Sequence, residues 1–306
     1  MKSINVLVVT YNHEKYIGRF LDSVLEQKGY GLNKIILCDD QSKDNNVQVI
    51  TEYVRKYPEI VELHINEKNL GIYGNFNHLL DVKGTADLYY IAAGDDAICP
   101  GFFKVVQETI DANNIDCTQP ISISCDWKSV NSNTGYERRY SNRKVINGAS
   151  PYRLKIRNQI YGRSTLISRS VLNQYRKVPV DKGITYAELL FDCQMYKYLK
   201  QSYHIPFVGS IYYTQIGEST KMSNEKTYRD NIYAWENLPI AENLNRKDTY
   251  FCKTREYKYK FLLKPSLKSL IAVIYYDILS FDWKIGFDWK TEAILYRSII
   301  KRITNR

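Results

Sequence analysis

The first hundred residues alternate between short apolar runs and segments with apolar residues at helical spacing, and this order limits the fold more than any other feature. Four apolar runs are predicted to be strands, at Ile4–Thr10, Lys34–Cys38, Val61–Asn66 and Leu88–Ala93. Helices are expected between them, after loops of only a few residues. Strands that alternate with helices in this way predict an α/β fold with a doubly wound, mostly parallel sheet.

Polar residues stand where three of these strands end. Thr10 closes the first strand, Asp39 and Asp40 follow the second, and Asp95 and Asp96 follow the fourth. Sheets of this kind bind ligands beyond the carboxyl ends of their strands. Carboxylates at that edge can hold a divalent cation that bridges the phosphates of a nucleotide. The alternative is that these residues cap turns and helices, as Asp does in many loops.

A less regular pattern continues beyond Pro100. The sequence predicts a helix over 101–113, strands near 121–127, 161–168 and 205–213, a loop over 131–147, and a helix over 186–200. Ser42 is expected to cap a helix over 43–57, because serine is a favoured N-cap residue. From about residue 222 the chain is expected to be helical, with breaks at Pro239 and Pro265. The pattern changes near residues 100 and 220, and approximate boundaries between parts of the chain are predicted there.

Composition limits the setting in which the chain works. It has 306 residues, 44% of them hydrophobic, which is enough for a buried core. Six cysteines are scattered without a C-x-x-C pair, as expected of free thiols in a reducing compartment. The apolar run from Ile4 to Val9 is too short for a signal peptide, and no run approaches the ~18 apolar residues of a membrane span. A cytoplasmic location is therefore expected.

The C-terminal region is basic. Residues 221–306 contain 17 Lys and Arg against 10 Asp and Glu, within a net charge of +10 for the chain. The basic residues stand beside apolar and aromatic ones, a pattern that suits peripheral contact with an anionic membrane at its inner face. A helical cap on the rest of the chain, or a dimer contact, is the alternative. No nucleic-acid-binding motif accompanies the charge, so no nucleic-acid partner is expected.

Four short motifs occur in one order and carry a family resemblance. They are Thr10-Tyr11-Asn12, Asp39-Asp40-Gln41-Ser42-Lys43-Asp44, Asn69-Leu70-Gly71 with Asn77, and Gly94-Asp95-Asp96 with Pro100. With these motifs the chain resembles the inverting glycosyltransferases of family 2, which use nucleotide sugars and have the GT-A fold. The resemblance implies a Rossmann-like GT-A domain with a helical C-terminal extension. Residues 1–100 would form its nucleotide-sugar-binding half, 101–220 its acceptor-binding half, and 221–306 a basic amphipathic helical region.

The resemblance also assigns roles to the motif residues. It implies nucleotide contacts from Thr10, Tyr11, Asn12, Asp39, Asp40, Asn77 and Asp95, with Asp40 as the main reader of the nucleoside. Asp95, with Asp96 beside it, is expected to bind Mg²⁺ or Mn²⁺, which would neutralise the departing diphosphate. Two positions depart from the family pattern. Ala93 replaces the first acid of the D-x-D motif, and Phe76 stands where the family often has a basic residue.

An inverting reaction needs a base that removes the proton from the acceptor hydroxyl. The family has an acid near the start of a later helix, and the segment from Tyr186 to Gln194 matches that place in this chain. Asp192 is assigned as the catalytic base, with Glu188 in reserve, because residues four apart share one face of a helix. The alternative is two ordinary solvent-facing acids on an amphipathic helix.

The function expected from this resemblance is sugar transfer from a UDP-type nucleotide sugar to a glycan acceptor, free or lipid-linked, in surface polysaccharide biosynthesis. The alternative is a degenerate family member that binds nucleotide sugar or glycan without turnover. Ala93 and Phe76 favour that alternative, whereas Asp40, Asp95 and Asp192 oppose it. A nucleotidyltransferase would need a glycine-rich, basic loop after the first strand, and the Tyr11-Asn12-His13-Glu14 stretch has neither property.

Overall fold

A computed structural model describes residues 1–141, 151–156, 162–177, 184, 188–217, 222–281 and 289–304. The chain divides into two compact units. The first contains Met1–Ile146, Gly162–Thr185 and Tyr198–Lys221, and the second contains Asn147–Tyr161, Tyr186–Lys197 and Met222–Arg306. The predicted loop over 131–147 lies partly outside the described residues. Tyr186 and Ala187, the first two residues of the predicted helix over 186–200, also lie outside them.

The first unit is built on one sheet of nine strands within the described residues. These are β1 (Ile4–Thr10), β2 (Leu32–Asp39), β3 (Val61–Ile65), β4 (Leu88–Ala93), β5 (Ala97–Ile98), β6 (Ile121–Asn131), β7 (Glu137–Tyr140), β8 (Thr165–Ser168) and β9 (Gln201–Thr214). Their order is β3-β2-β1-β4-β8-β6-β9-β5, with β7 paired to β6. Six strands run in one direction, while β5, β7 and β8 are antiparallel to their neighbours. The predicted mostly parallel sheet is confirmed.

Helices cover the sheet of the first unit. They are α1 (Ile17–Leu25), α2 (Asn46–Lys56), α3 (Gly71–Asp81), α4 (Phe102–Ala112) and the short α6 (Arg169–Leu172). The apolar residues of α1 that recur at helical spacing, including Ile17, Phe20 and Leu21, are fully buried against the sheet. Burial of an amphipathic face is the main source of stability for such helices.

Two local predictions are wrong in this unit. Ser42 does not cap α2, which begins at Asn46; its hydroxyl instead donates to Asp39 Oδ2 at 2.5 Å. The bond to the neighbouring strand end competes with the capping geometry that serine offers in isolation. The stretch after Asn131 is not simply a loop, because Glu137–Tyr140 turns back as β7 and pairs with the second half of β6.

The second unit is helical. Its helices are α5 (Pro151–Ile156), α7 (Glu188–Lys197), α8 (Asn224–Glu242), α9 (Arg246–Leu263), α10 (Leu267–Ser280) and α11 (Trp289–Thr304). Pro265 lies between α9 and α10, as predicted, but Pro239 lies inside α8 and does not end it. A proline removes one amide donor, and the buried neighbours Trp235 and Leu238 hold the last turn in place. The part of the chain that the structure describes holds no helix with the length and hydropathy of a membrane span.

Candidate functional site

The carboxyl ends of β1 and β2 meet at one edge of the sheet. Thr10 and Asp39 are partners in the parallel register, and the amide of Asp40 donates to Thr10 O at 3.0 Å. The buried side chain of Asn46 links the two strand ends, because its Nδ2 donates to Thr10 Oγ1 at 3.0 Å and to Asp39 Oδ2 at 2.7 Å. Thr10 and Asp39, predicted from separate motifs, therefore belong to one hydrogen-bonded network.

Asn12 joins the same network from the loop after β1. Its backbone takes a left-handed conformation with φ of 55°, which asparagine tolerates better than most residues. Its amide donates to Ser42 Oγ at 2.8 Å, and its Oδ1 accepts from the amide of Lys43 at 2.8 Å. Tyr11 is partly exposed beside it. The first two motifs of the family thus interlock through side chains as well as through strand pairing.

Asp40 organises the start of α3. Its carboxylate is buried, with 3% of the residue exposed, and accepts from the amides of Leu70 and Gly71 at 2.7 and 2.8 Å. Asn66 Nδ2 also donates to it, at 2.8 Å. A negative charge at a helix N-terminus is favourable, because the first amides point outward without partners. The third motif is therefore folded onto the second by this one carboxylate.

Replacing Asp40 by alanine is expected to lower the free energy of unfolding by about 2–4 kcal/mol, because buried amide donors lose a charged acceptor. Urea denaturation followed by circular dichroism measures the change. Asp81→Asn is the matched control, since the Asp81 side chain is 53% exposed and pairs only at the surface with Lys177. Surface pairs contribute about 0–1 kcal/mol, and equal effects of the two substitutions would contradict the capping role of Asp40.

Gly94 brings the end of β4 against the end of β1. A Cβ placed on Gly94 would lie 2.7 Å from Ile17 Cδ1 and 3.2 Å from Thr10 Oγ1, so a side chain there would force the end of the Ile17 side chain to shift. The next residue, Asp95, directs its Oδ2 to within 3.8 Å of His13 Nε2. Gly217, with φ of +75°, approaches the same oxygen so closely that its Cβ would lie 2.5 Å away. Asp95 is thus held among small or polar groups.

Asp96 has a different environment. Its Oδ2 accepts from Arg163 Nη1 at 3.0 Å, and its Oδ1 accepts from the amide of Tyr213 at 3.3 Å. Its side chain is only 11% exposed. Burial, and then the charge of Asp96, raise the pKa of the neighbouring Tyr90 hydroxyl. Asp96 therefore acts as the anionic partner of a guanidinium group in this structure.

Two arginines that sequence reasoning missed lie beside these acids. Arg19, in the first turn of α1, donates to Asp95 O at 2.6 Å and stacks over the ring of Tyr213 at 3.6 Å. Arg163, just before β8, stacks over the ring of Tyr212 at 3.7 Å. Stacking on an aromatic face orients a guanidinium group and leaves its edge N–H groups able to bind oxygen atoms. Basic groups are therefore present although Phe76 is a buried apolar residue.

The side chains at this edge of the sheet include oxygen donors suited to Mg²⁺ or Mn²⁺. The described residues contain no group of three acidic, histidine or cysteine side chains that could enclose a cation. Asp96 is engaged with Arg163, whereas the carboxylate of Asp95 lies beside the imidazole of His13 and the backbone of Gly217. Magnesium is often held by one or two carboxylates together with substrate phosphates and water. The residues fit a cation of that shared kind, for which Asp95 would be the protein ligand.

The remaining predicted residues lie elsewhere in the two units. Asn77, on α3, accepts through Oδ1 from the hydroxyl of Tyr175 at 3.5 Å. Asp192 and Glu188 belong to α7 of the second unit. Asp192 forms an ion pair with Lys155 of α5, whose side chain is only 7% exposed. Burial is the largest effect and lowers the pKa of Lys155, but the charge of Asp192, the Tyr196 hydroxyl and the hydrogen bond to Asp192 together raise it above its usual value.

Comparisons with known proteins show the family and the fold of the chain. A segment of 116 residues is 30% identical to a processive diacylglycerol beta-glycosyltransferase from Mycoplasma pneumoniae. The segment covers 38% of this chain and 34% of that protein. The matched segments span about a third or less of the length of the curated relatives. S. aureus TarS, crystallised with UDP-GlcNAc, has a TM-score of 0.63 and 19% identity, over 99% of this chain and 89% of that chain.

A mannosyltransferase from Pyrobaculum calidifontis, PcManGT, in complex with GDP-Man and Mn²⁺, has a TM-score of 0.53 and 14% identity, over 99% of this chain and 86% of that chain. At these identities the two likenesses establish the fold, which is the expected Rossmann-like GT-A type with a helical C-terminal region. The sequence model of the family "Glycosyl transferase family 2" matches residues 5–176, which is more than half of the chain. The matched range includes the first three motifs and the Asp95-Asp96 pair. The chain belongs to glycosyl transferase family 2.

Proposed function

We propose that this chain is an inverting glycosyltransferase that moves a sugar from a UDP-type nucleotide sugar to a glycan acceptor in surface polysaccharide biosynthesis. The observation that carries the proposal is the cluster of Asp95, Arg19 and Arg163 beside the Thr10–Asp39 network. Carboxylate and guanidinium groups at one sheet edge are the groups that bind a nucleoside diphosphate. The UDP-GlcNAc complex of TarS supports a uridine nucleotide as the donor.

The reaction develops negative charge on the diphosphate as its bond to the sugar breaks. A divalent cation bound by Asp95 would act as a Lewis acid toward that charge. Arg19 and Arg163 are held by Tyr213 and Tyr212 and can donate to diphosphate oxygens without reorganising. Thr10, Asn12, Asp39 and Asp40 shape the nucleoside end of the site, and Asn77 supplies a further polar contact.

We assign the general base to Asp192, with Glu188 in reserve. The buried Lys155 ammonium pairs with the Asp192 carboxylate and fixes its position, and a positioned carboxylate is what proton removal from an acceptor hydroxyl requires. The attack of that hydroxyl on the anomeric carbon from the face opposite the diphosphate inverts the configuration.

Hydrolysis of donor in the absence of an acceptor tests the reaction type. We expect slow release of UDP from an α-linked UDP-sugar such as UDP-GlcNAc, with the β-anomer of the free sugar as the first product in a time-resolved NMR experiment. Release of the α-anomer would contradict inversion. Tight UDP binding without release from any donor sugar would favour the alternative, a family member without turnover, which Ala93 and Phe76 support.

We further propose that the acceptor is lipid-linked and that the chain works at the cytoplasmic face of a membrane. The name of the Mycoplasma relative, a diacylglycerol glycosyltransferase, supports a lipid acceptor. All six cysteines are free thiols, as is usual in a reducing compartment. The basic C-terminal region is the part of the chain that we assign to peripheral membrane contact.

Replacing Gly217 by alanine is expected to weaken cation-dependent UDP binding by about tenfold, because the new Cβ would displace Asp95 Oδ2. Gly135→Ala is the matched control. Both glycines have positive φ, +75° and +71°, but a Cβ on Gly135 meets nothing within 4 Å. Each substitution strains the backbone by about 1 kcal/mol, so urea denaturation should report similar losses of stability. Equal UDP affinities of the two variants, measured by calorimetry, would argue against a binding role for Asp95.

A further inference from the structure

The outward face of α10 is a stripe of exposed apolar side chains. Leu267, Ile271, Ile274, Tyr275 and Ile278 are between 46% and 72% exposed. Their spacing places them on one face over about three helical turns. The opposite residues of α10, such as Ser269 and Val273, are buried, and Val273 packs with Phe261 of α9. A contiguous apolar patch of this kind marks an interaction surface, whereas single exposed apolar residues do not.

Basic residues border one end of this α10 stripe. Lys264 follows the end of α9, Lys268 lies in the first turn of α10, and Lys301 and Arg302 lie in the last turn of α11; all four are exposed. A cleft of about 300 Å³ between these two helix ends is lined by Leu267, Leu270, Arg302 and Ile303, among others. In this cleft the guanidinium group of Arg302 lies beside the apolar side chains of Leu267 and Leu270.

The only acidic residue of α10 is not part of the stripe. Asp277 is partly buried and accepts from the hydroxyl of Tyr296 at 2.7 Å. The exposed face of α10 therefore combines apolar side chains with positive charge alone. Tyr275 adds an amphipathic ring, which is common where protein meets the boundary between lipid headgroups and acyl chains.

We propose that the α10 stripe lies flat on an anionic phospholipid surface. The apolar side chains would enter the boundary between headgroups and acyl chains, while Lys264, Lys268, Lys301 and Arg302 would contact lipid phosphates. A second copy of the chain is a poorer occupant. A two-fold interface pairs the stripe with the same stripe of the second copy, whose exposed α10 face offers no acidic side chain to the basic residues.

This inference names the surface for the membrane contact proposed above, and its contacts do not include the donor site. Flotation of the full chain with lipid vesicles tests it. We expect binding to phosphatidylcholine vesicles that contain phosphatidylglycerol, little binding to phosphatidylcholine alone, and weaker binding as salt is added. Equal binding to both vesicle types, or to neither, would overturn the proposal.

The combined variant Ile271→Asp and Ile278→Asp is expected to lose vesicle binding by about tenfold or more, since each exposed isoleucine loses apolar contact and adds an anionic charge. Ile240→Asp is the matched control: Ile240 lies on α8, is 81% exposed and stands outside the stripe. UDP binding by each variant reports whether the protein is folded and is separate from the membrane readout. Equal loss in Ile240→Asp, or retained vesicle binding in the stripe variant, would overturn the assignment.

Charge reversal at Lys264 and Lys268 together is expected to remove most of the dependence on phosphatidylglycerol. Lys104→Glu, on exposed α4 surface of the first unit, should leave it unchanged. Light scattering decides between lipid and self-association. A dimer that is lost in the Ile271→Asp and Ile278→Asp variant, without any vesicle binding by wild type, would assign the stripe to a second copy and overturn the proposal.

Discussion

Asparagine in place of Asp95 is expected to lower the rate of sugar transfer by about 100-fold or more, because the proposed protein ligand of the cation loses its charge. The substitution keeps the shape of the side chain beside Gly94 and His13, so the strand end should keep its packing. Release of UDP from the donor sugar measures the rate. Adding Mn²⁺, or removing it with EDTA, should change the rate of the wild-type protein and have little effect on the rate of Asp95→Asn.

Asp96→Asn separates the two acids. Because Asp96 accepts from Arg163 and from the Tyr213 amide, its replacement should disturb the placement of Arg163 but keep the response to Mn²⁺. If Asp96→Asn loses the Mn²⁺ response and Asp95→Asn keeps it, the cation ligand has been assigned to the wrong acid. If neither variant changes the response, neither carboxylate binds the cation.

The second large effect is expected at Asp192. Replacement by asparagine should lower transfer by about 100-fold or more while UDP binding is kept, because the proposed proton acceptor is removed. The same change leaves Lys155 buried without its anionic partner, and removing one partner of a buried pair destabilises a protein by about 3–5 kcal/mol. Loss of activity alone therefore cannot distinguish a base from a structural ion pair.

The double variant Lys155→Met and Asp192→Leu makes that distinction. It removes both charges and replaces them with apolar groups of similar size, a change that is often neutral for stability. We expect the double variant to recover stability in urea denaturation but not sugar transfer. Recovery of transfer together with stability would show that Asp192 serves only the ion pair. Glu188→Gln is the companion variant, and a larger loss of transfer there would move the base to Glu188.

Local patterns predicted the elements that are built from neighbouring residues. The continuous apolar run of β1 and the helical spacing of Ile17, Phe20 and Leu21 in α1 are both confirmed. The carboxyl ends of β1 and β2 were predicted to meet, and the register pairs Thr10 with Asp39. These features follow from burial on one face of an element, which sequence periodicity records directly.

Contacts between distant parts of the chain were not predictable in the same way. Arg163 reaches Asp96 because β8 inserts antiparallel between β4 and β6, a pairing that no local pattern of the sequence indicates. Asp40 caps α3 across thirty residues of sequence. Its interpretation as the main reader of the nucleoside did not include the hydrogen bond that it accepts from the Leu70 amide in the fold. Arg19 offered a signal that was missed, since the first turn of a helix after β1 lies at the ligand-binding edge of such a sheet.

Calorimetric titration of UDP into the wild-type protein tests the central claim most directly. We predict that UDP binds in the presence of Mn²⁺ and that EDTA weakens the binding. Asp95→Asn should bind UDP as weakly as the wild type does in EDTA, whether or not Mn²⁺ is present. CDP, GDP and dTDP, titrated in the same way, identify the base that the site prefers. Absence of binding by every one of these nucleotides, with and without Mn²⁺, would contradict the donor site at the ends of β1, β2 and β4.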